Sequence, residues 1–444
     1  MANAGDTIAA IATAPGRGAV GIVRISGPAT AAIASSILGG LPKPRVATLG
    51  PFSDRAQRLL DNGIALFFPA PASYTGEDLL ELQAHGGPAV MRSLLAASYQ
   101  AGARPAQPGE FTQRAFLNGK IDLLQAESVA TLIETASTQA ASAAARACAG
   151  EFSSAVTSIN DALKTLWVLL EAGIDFADET AVQSAHIAQG FADLRLRLSA
   201  LLRDARAGAR LNHGLDVAIV GRPNSGKSTL LNRLCRADRA IVTDIPGTTR
   251  DVLSADIDLQ GLAIRIHDTA GLRDTTDLIE LEGLRRARAL LKRCDVLLHV
   301  VAIDQVAEDE PPELSEAREL GIPVLTVANK VDLIAAPTVP ADPQHIFLSA
   351  LTGLGIDALE QALLDIAGGK EVIDAPFIAR ARHIDALERA LEHTTGAAHE
   401  NMAGAAELAC EGLREASRAL EEMTGAYTTE DLLGDIFSRF CIGK

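Results

Sequence analysis

Eight residues, Gly221 to Ser228, read G-x-x-x-x-G-K-S inside LDVAIVGRPNSGKSTLLNRL. Glycines at that spacing let backbone N–H groups turn inward on phosphates, Lys227 can reach the β and γ oxygens, and the Ser228 hydroxyl can ligate Mg²⁺. Asn224, Ser225, Gly226 and Thr229 complete the loop and the first turn of a helix, where anions bind. A second pattern is Asn329-Lys330-Val331-Asp332. A carboxylate such as Asp332 can accept two hydrogen bonds, from N1–H and the exocyclic amine of guanine, and adenine presents no such pair. Ser349-Ala350-Leu351 can offer a backbone N–H to the guanine O6. Asp268-Thr269-Ala270-Gly271 brings a carboxylate for the Mg²⁺ shell and, at Gly271, an N–H for a γ-phosphate. Between them lies Gly247-Thr248-Thr249-Arg250. Thr249 can close the Mg²⁺ coordination around a triphosphate and release it after hydrolysis, the physical basis of a switch. These motifs together imply a module that binds and hydrolyses GTP.

Two parts of such a site are not supplied by these motifs. Ras-like switches place a glutamine directly after D-T-A-G to orient the attacking water, and here that position is Leu272. The nearby acids Asp274, Asp277, Glu280 and Glu282 are candidates, each with the plain alternative of a solvated surface charge. The transition state also needs a cation against its developing charge. Arg250 is within reach by sequence, and so is a bound monovalent ion, for which the Asn224 side-chain oxygen is a suitable hard ligand. The alternative for Asn224 is a residue that only shapes the loop.

These residues need a sheet to hold them. LDVAIV, LAIRIH, PVLTVA and HIFL are short apolar runs that end at the motifs, as expected where the carboxyl ends of strands in a doubly wound sheet meet a ligand. Residues 1 to 118 alternate short apolar runs (GIVRIS, GIALFF, LLELQA) with Gly and Pro turns, the pattern of an α+β module. From Ile121 the spacing turns helical, and it is helical again from about 375. A chain of 444 residues is too long for one ordinary core. Aromatic residues make up only 4%, so the cores should be aliphatic. A net charge of -16 argues against a generally basic nucleic-acid surface and leaves room for a local one, or one shared with a partner. The five cysteines form no C-x-x-C pair, which points away from zinc and from a disulfide scaffold and fits a reducing cytoplasm. Neither an export signal nor an apolar run of about 18 residues is present, so no membrane span is expected.

GRPNSGKSTLLN, TDIPGTTRD, DTAGLRD, NKVD and the final FCIGK together resemble the MnmE (TrmE) family of tRNA modification GTPases. PGRGAVGIVRISG (15–27), SYTGEDLLELQAHGG (73–87) and RPAQPGEFTQRAFLNGKIDL (104–123) extend the likeness through the N-terminal third. The P-loop and guanine motifs occur in many GTPases; the N-terminal stretches and the tail are the discriminating ones.

The resemblance implies a multidomain fold with an α+β N-terminal folate-binding and dimerisation domain over 1–118. An all-α domain follows, built from 119–212 and 371–444, with a Ras-like α/β P-loop GTPase domain inserted at 213–370. Spacing alone does not show that the two helical pieces belong together. The family's GTPase domain is activated by K⁺ and by dimerisation, and Asn224, Thr243, Ile245 and Thr248 match its K⁺ ligands. Asp244, Pro246 and Gly247 lie in the same nucleotide-binding loop, which Pro246 should stiffen. Glu280 aligns with the glutamate that orients the attacking water.

Arg24, Glu81, Lys120 and Lys444 match the positions that contact a tetrahydrofolate one-carbon donor, 5-formyl- or 5,10-methylene-tetrahydrofolate. Arg and Lys would meet the glutamyl carboxylates and Glu the ring donors. By pattern alone Arg24 is an outward strand residue, Glu81 an exposed charge and Lys120 a helix-start residue. Cys441 is read as a possible catalytic thiol near the folate; the alternative is a harmless thiol on a frayed end, and FCIGK fails as a prenylation box. His85 reads as a turn histidine and Trp167 as core.

The implied activity is a cytoplasmic, homodimeric, K⁺-stimulated GTPase. With a flavoprotein of the MnmG (GidA) type it would form a carboxymethylaminomethyl or aminomethyl group at C5 of the tRNA wobble uridine. Two rivals share the guanine motifs. A ribosome-assembly GTPase should carry a Lys/Arg-rich RNA module, which is not found, and a purely regulatory switch needs no folate pocket.

Overall fold

The computed structural model describes residues 5–135, 137–175, 180–235, 254–268, 291–305, 311–334, 345–427 and 429–443. The chain divides into two compact units, one of 1–130, 148–176 and 400–444, the other of 131–147 and 177–399.

The first unit holds a six-stranded sheet of β1 (Ile8–Ile11), β2 (Val20–Ser26), β3 (Thr48–Ser53), β4 (Leu59–Phe68), β5 (Leu79–His85) and β6 (Arg104–Pro105). Their order is β3-β4-β5-β2-β1-β6, antiparallel except for β1 beside β6. Alternation along β2 and β5 sends Val23, Ile25, Leu80 and Leu82 into a core with Ile33 of α1 (Thr30–Leu38) and Leu94 of α2 (Pro88–Gln100). The opposite face begins to close where Phe111 of α3 (Glu110–Leu117) covers Ile8 and Ala10. Beneath α3 lies a charge network in which Arg114, 4% exposed, meets Glu110, Glu77 and Asp6.

Helical segments far apart in sequence meet within this unit. The amino half of α4 (Leu123–Glu134) packs Leu123 and Ala126 on Ile436 and Phe437 of α14 (Glu430–Ser438). The helix α6 (Glu151–Asp175) packs along α13 (Ala406–Thr424), where the Ser417 hydroxyl donates to Asn160 at 2.7 Å and Lys164 pairs with Glu421 at 2.8 Å. Trp167 differs from the expectation. It is half-buried, its indole N–H donates to Glu171 at 2.7 Å, and the Arg414 guanidinium lies 5.0 Å from its ring centroid. A polar N–H that needs a partner keeps the ring at the rim of the helix pair and out of its centre.

The second unit contains α5 (Thr138–Cys148) and the long α7 (Thr180–His213), then a second sheet. Its strands are β7 (Leu215–Val220), β8 (Ser254–Leu259), β9 (Leu262–Asp268), β10 (Val296–Ala302), β11 (Val324–Asn329) and β12 (His345–Phe347). The order is β12-β11-β10-β7-β9-β8, parallel throughout except for the edge strand β8. β7 and β10 are apolar along nearly their whole length because side chains on both faces are covered, the usual condition of a parallel sheet. Val217, Ile219, Leu298 and Val300 pack toward α8 (Lys227–Cys235) and α10 (Ile356–Ala367). Ala218, Val220 and Leu297 pack toward α9 (Pro312–Glu319). The short α11 (Gly369–Ile373) and α12 (Ala381–Met402) complete the described helices. No described helix is long and apolar enough to cross a membrane.

Candidate functional site

Because β7, β9, β10 and β11 are parallel, their carboxyl ends open on one edge, and β7 is the strand from which the chain departs to both sides. The loop after β7 runs from Gly221 into α8, whose first residue is Lys227. The Lys227 ammonium donates to the carbonyls of Gly221 and Arg222, both at 2.8 Å, so it is held inside the loop it closes. Ser225 is fully buried below, whereas the Ser228 and Thr229 side chains and Asn224 are exposed at the mouth. Asn224 adopts φ 63, a left-handed conformation that asparagine tolerates.

One side chain ties this loop to the next. Asn329, 2% exposed at the end of β11, donates from Nδ2 to the Ser225 carbonyl at 2.9 Å. Its Oδ1 accepts the N–H of Lys330 at 2.8 Å and the N–H of Ala350 at 3.0 Å. Gly226, at φ +96, makes room for this contact, since a Cβ there would stand 2.2 Å from Asn329 Nδ2. Lys330 turns left-handed at φ 70, which starts the short helical turn Val331–Leu333 and leaves Asp332 exposed. The Ser349 hydroxyl donates to Asp332 and also accepts the Thr352 N–H at 3.1 Å. Ser349 N–H is used by the Leu354 carbonyl and Ala350 N–H by Asn329. Leu351 is the member of that trio whose N–H has no bond among the described residues. Arg233, in the last turn of α8, donates to the Ala350 carbonyl at 3.0 Å and to the Leu351 carbonyl.

The arrangement offers an anion a helix start and an ammonium, and offers a base one exposed carboxylate beside a braced loop. Ser228, exposed in the first turn of α8, brings a hydroxyl oxygen of the hard kind that Mg²⁺ takes. Thr243, Asp244, Ile245, Pro246, Gly247, Thr248, Thr249, Arg250, Thr269, Ala270, Gly271, Leu272, Asp274, Asp277, Glu280 and Glu282 lie outside the described residues, as does the Asp268 side chain. Asp268 itself ends β9, paired with Ile219 of β7.

In the first unit, register places Arg24 on β2 directly across from Glu81 on β5. Arg24 Nε and Nη2 donate to one Glu81 oxygen at 3.0 and 2.8 Å, with the two side chains 20% and 16% exposed. The guanidinium also lies 5.6 Å from the Tyr74 centroid and 5.8 Å from that of Phe111. Burial pushes the Tyr74 phenol up, against the opposing pull of the Thr112 hydrogen bond and the Arg24 charge. The tail arrives here too. Gly443 offers its carbonyl to Arg24 Nη1 at 3.5 Å, and a Cβ at that glycine would stand 2.3 Å from the Ile11 carbonyl. Ile442 bridges to Pro108, and the backbone carbonyl of the exposed Cys441 accepts the Gly109 N–H. Lys120 closes the end of α3, and its ammonium donates to the Pro71 carbonyl at 3.0 Å; among the described residues it does not touch the Arg24–Glu81 pair. Lys444 lies outside the described residues. His85 ends β5 with its ring 2.9 Å from Asp61.

Three contributors were not singled out from sequence. Tyr74 sits within SYTGEDLL, where no local signal marks it as a neighbour of Arg24. Phe111 and Arg233 carry no local signal, because each acts on a residue remote in the chain.

A family model described as the MnmE helical domain matches residues 123–441, and one described as the GTP-binding protein TrmE N-terminus matches 7–120. Among curated proteins, tRNA modification GTPases MnmE from Azoarcus sp. and from Nitrosomonas europaea are each 49% identical. The first match covers 99% of this chain and 98% of the relative, the second 99% of each. Among solved structures, an Era variant from Aquifex aeolicus bound to GDP·AlF4⁻ is 26% identical at a TM-score of 0.29, covering 40% of this chain and 66% of that one.

Proposed function

This chain belongs to the MnmE family of tRNA modification GTPases, and from that premise we propose how its residues divide the work. It is a GTP-hydrolysing enzyme of tRNA modification. With a flavoprotein of the MnmG type, and as a homodimer in the cytoplasm, it forms the carboxymethylaminomethyl or aminomethyl group at C5 of the wobble uridine. The carbon comes from a tetrahydrofolate derivative. Hydrolysis drives a conformational change and is not itself the modification step. The observation that carries this reading is full-length identity near one half combined with two separate polar sites, one on each sheet.

Loop N–H groups and Lys227 bind the β- and γ-phosphates, and Asp332, with Lys330, Val331 and the 349–351 loop, selects guanine. Ser228 and Thr249, with Asp268, would hold Mg²⁺, which neutralises charge on the transferred phosphoryl group. Asn224, Thr243, Ile245 and Thr248 would hold K⁺ where an arginine finger otherwise stands. Glu280 orients the water that Leu272 cannot. On the first sheet, Arg24, Lys120 and Lys444 take the folate carboxylates, Glu81 takes the ring donors, and Cys441 lies close by as a candidate thiol. The domain limits 1–118, 119–212, 213–370 and 371–444 belong to the same proposal. A helical family model that runs on both sides of the second sheet supports an inserted GTPase domain.

The test is wobble-nucleoside analysis of tRNA from cells lacking this chain, restored with the wild-type protein or with Glu280→Ala. The modified nucleoside should return with the first and stay low with the second, although Glu280→Ala still binds GTP. Full restoration by Glu280→Ala would remove Glu280 from its role. In the purified protein, Na⁺ in place of K⁺ should slow hydrolysis sharply, and an unchanged rate would remove the monovalent ion.

A further inference from the structure

A cavity of about 430 Å³ lies in the second unit between α7, the start of α11 and α12, and none of its lining residues belongs to the loops after β7, β11 and β12. Arg203, Arg206 and Arg210 line it on one side and Glu371 on the other, over a floor of Leu202, Val372 and Leu391. The three arginines recur along α7 at steps of three and four residues, and Arg195 is eight residues before the first of them. At 3.6 residues per turn all four fall on one stripe, about 22 Å long from Arg195 to Arg210. All four are exposed.

We propose that this stripe is a contact for the phosphate backbone of the tRNA substrate. The inference rests on the tRNA reading above and adds a place on the chain where that RNA is held. Three observations carry it. The chain is strongly acidic, at -16, so an RNA strand is repelled by most of the surface and needs a local concentration of cations. The stripe supplies one, and it continues past the cavity to Arg195, which suits an extended polyanion better than a compact one. The carboxylates already beside it are weakly committed. Arg206 meets Glu388 at 2.6 Å with the side chains 57% and 48% exposed, and Arg203 stands 3.7 Å from Asp204. Exposed pairs of this kind contribute little to stability, so a phosphate can replace the carboxylate at small cost. Arginine is also the side chain whose planar fork matches phosphate oxygens in pairs.

The experiment is fluorescence anisotropy of labelled unmodified tRNA with the full chain across a salt series, comparing wild type with Arg203→Gln combined with Arg210→Gln. Both residues are at the surface and outside the nucleotide loops, so basal GTP hydrolysis should be unchanged and reports that the variant is folded. Affinity should fall about tenfold and the salt slope should lessen by about two, with recovery in the Arg203→Lys, Arg210→Lys protein. Equal binding and equal slope in variant and wild type overturn the inference and leave the tRNA reading standing. Failure of the wild type to bind tRNA at all overturns both. Arginine-dependent binding of pyrophosphate alone, with tRNA binding indifferent to the substitutions, assigns the cavity to a small anion and overturns the inference as well.

Discussion

The two polar sites are held together in different ways. Around the second sheet, the loop after β7, the turn after β11 and the loop after β12 are tied by two side chains, Asn329 and Arg233, that grip the backbone groups of the turns. On the first sheet the Arg24–Glu81 pair depends on strand register, on aromatic rings from two other segments, and on a tail more than 400 residues away in sequence (|i−j| = 419). Behind it stands a network of ionised side chains around Arg114. A site built from turns draws its geometry from φ and ψ at a few residues, and changes there should be felt in ligand affinity. A site built on buried charge pairs draws its geometry from protonation, and changes there should be felt in stability as pH moves.

The sharpest way to break this contrast is Lys227→Ala, which removes a cation from the turn-built site without disturbing strands or core. GTP turnover measured as kcat/KM should drop by roughly 10²–10³, with little change in thermal unfolding. A large fall in melting temperature would show that the ammonium is structural. Next in size is Glu110→Gln in the network behind the other site, where Glu110 is 1% exposed. Burial alone would raise its carboxyl, yet hydrogen bonds from Arg104, the Gln107 N–H and Arg114 outweigh burial and hold it below the ordinary glutamate range. A depressed folded value means that its stabilisation is complete above the ordinary 4.5 and is lost as pH falls through the folded value. The substitution should cost about 3 kcal/mol near neutral pH and flatten the acid limb of a denaturation curve followed below pH 5. An unaltered acid limb would place the acid sensitivity elsewhere.

Asp332→Asn exchanges an acceptor for a donor opposite the base. It should weaken GTP by about a hundredfold and favour a xanthine nucleotide, whose exocyclic C2 carbonyl oxygen can accept from that donor. If GTP and xanthosine triphosphate compete as they do for the wild type, Asp332 does not read the base. The smallest effect is expected for Glu81→Gln. Arg24 keeps its rings, and the amide of glutamine keeps one acceptor for the ring donors, so binding of the proposed folate, followed by titration calorimetry, should weaken about tenfold. A loss as large as that of Arg24→Ala would mean that Glu81 contacts the ligand as strongly as Arg24 does.

The same contrast explains how much could be read from the letters. G-x-x-x-x-G-K-S, N-K-V-D and S-A-L are contiguous because a turn is a local object, and the strands before them were visible as apolar runs. The brace between them was not. Nothing near Asn329 indicates that its amide reaches Ser225, and nothing near Arg233 indicates that it holds Ala350 and Leu351. On the first sheet, alternation in GIVRIS gave the strand but allowed Arg24 to face solvent, and only register against β5 brings it to Glu81. The contact of α6 with α13, more than 200 residues apart in the chain, likewise has no signature in spacing, because helical periodicity identifies a buried face without saying what covers it. Trp167 differs from a core residue for a related reason, since its large apolar ring is plain in the sequence and the hydrogen bond its N–H makes to Glu171 is not.

Asn329 leaves one more consequence. Its amide grips the phosphate-side carbonyl of Ser225 with one end and the base-side N–H of Ala350 with the other. In the proposed pocket, a purine that seats badly against the 349–351 loop would therefore tug on the cradle of its triphosphate. Fidelity there would be shared along the ligand's whole length, and a wrong base would be penalised twice.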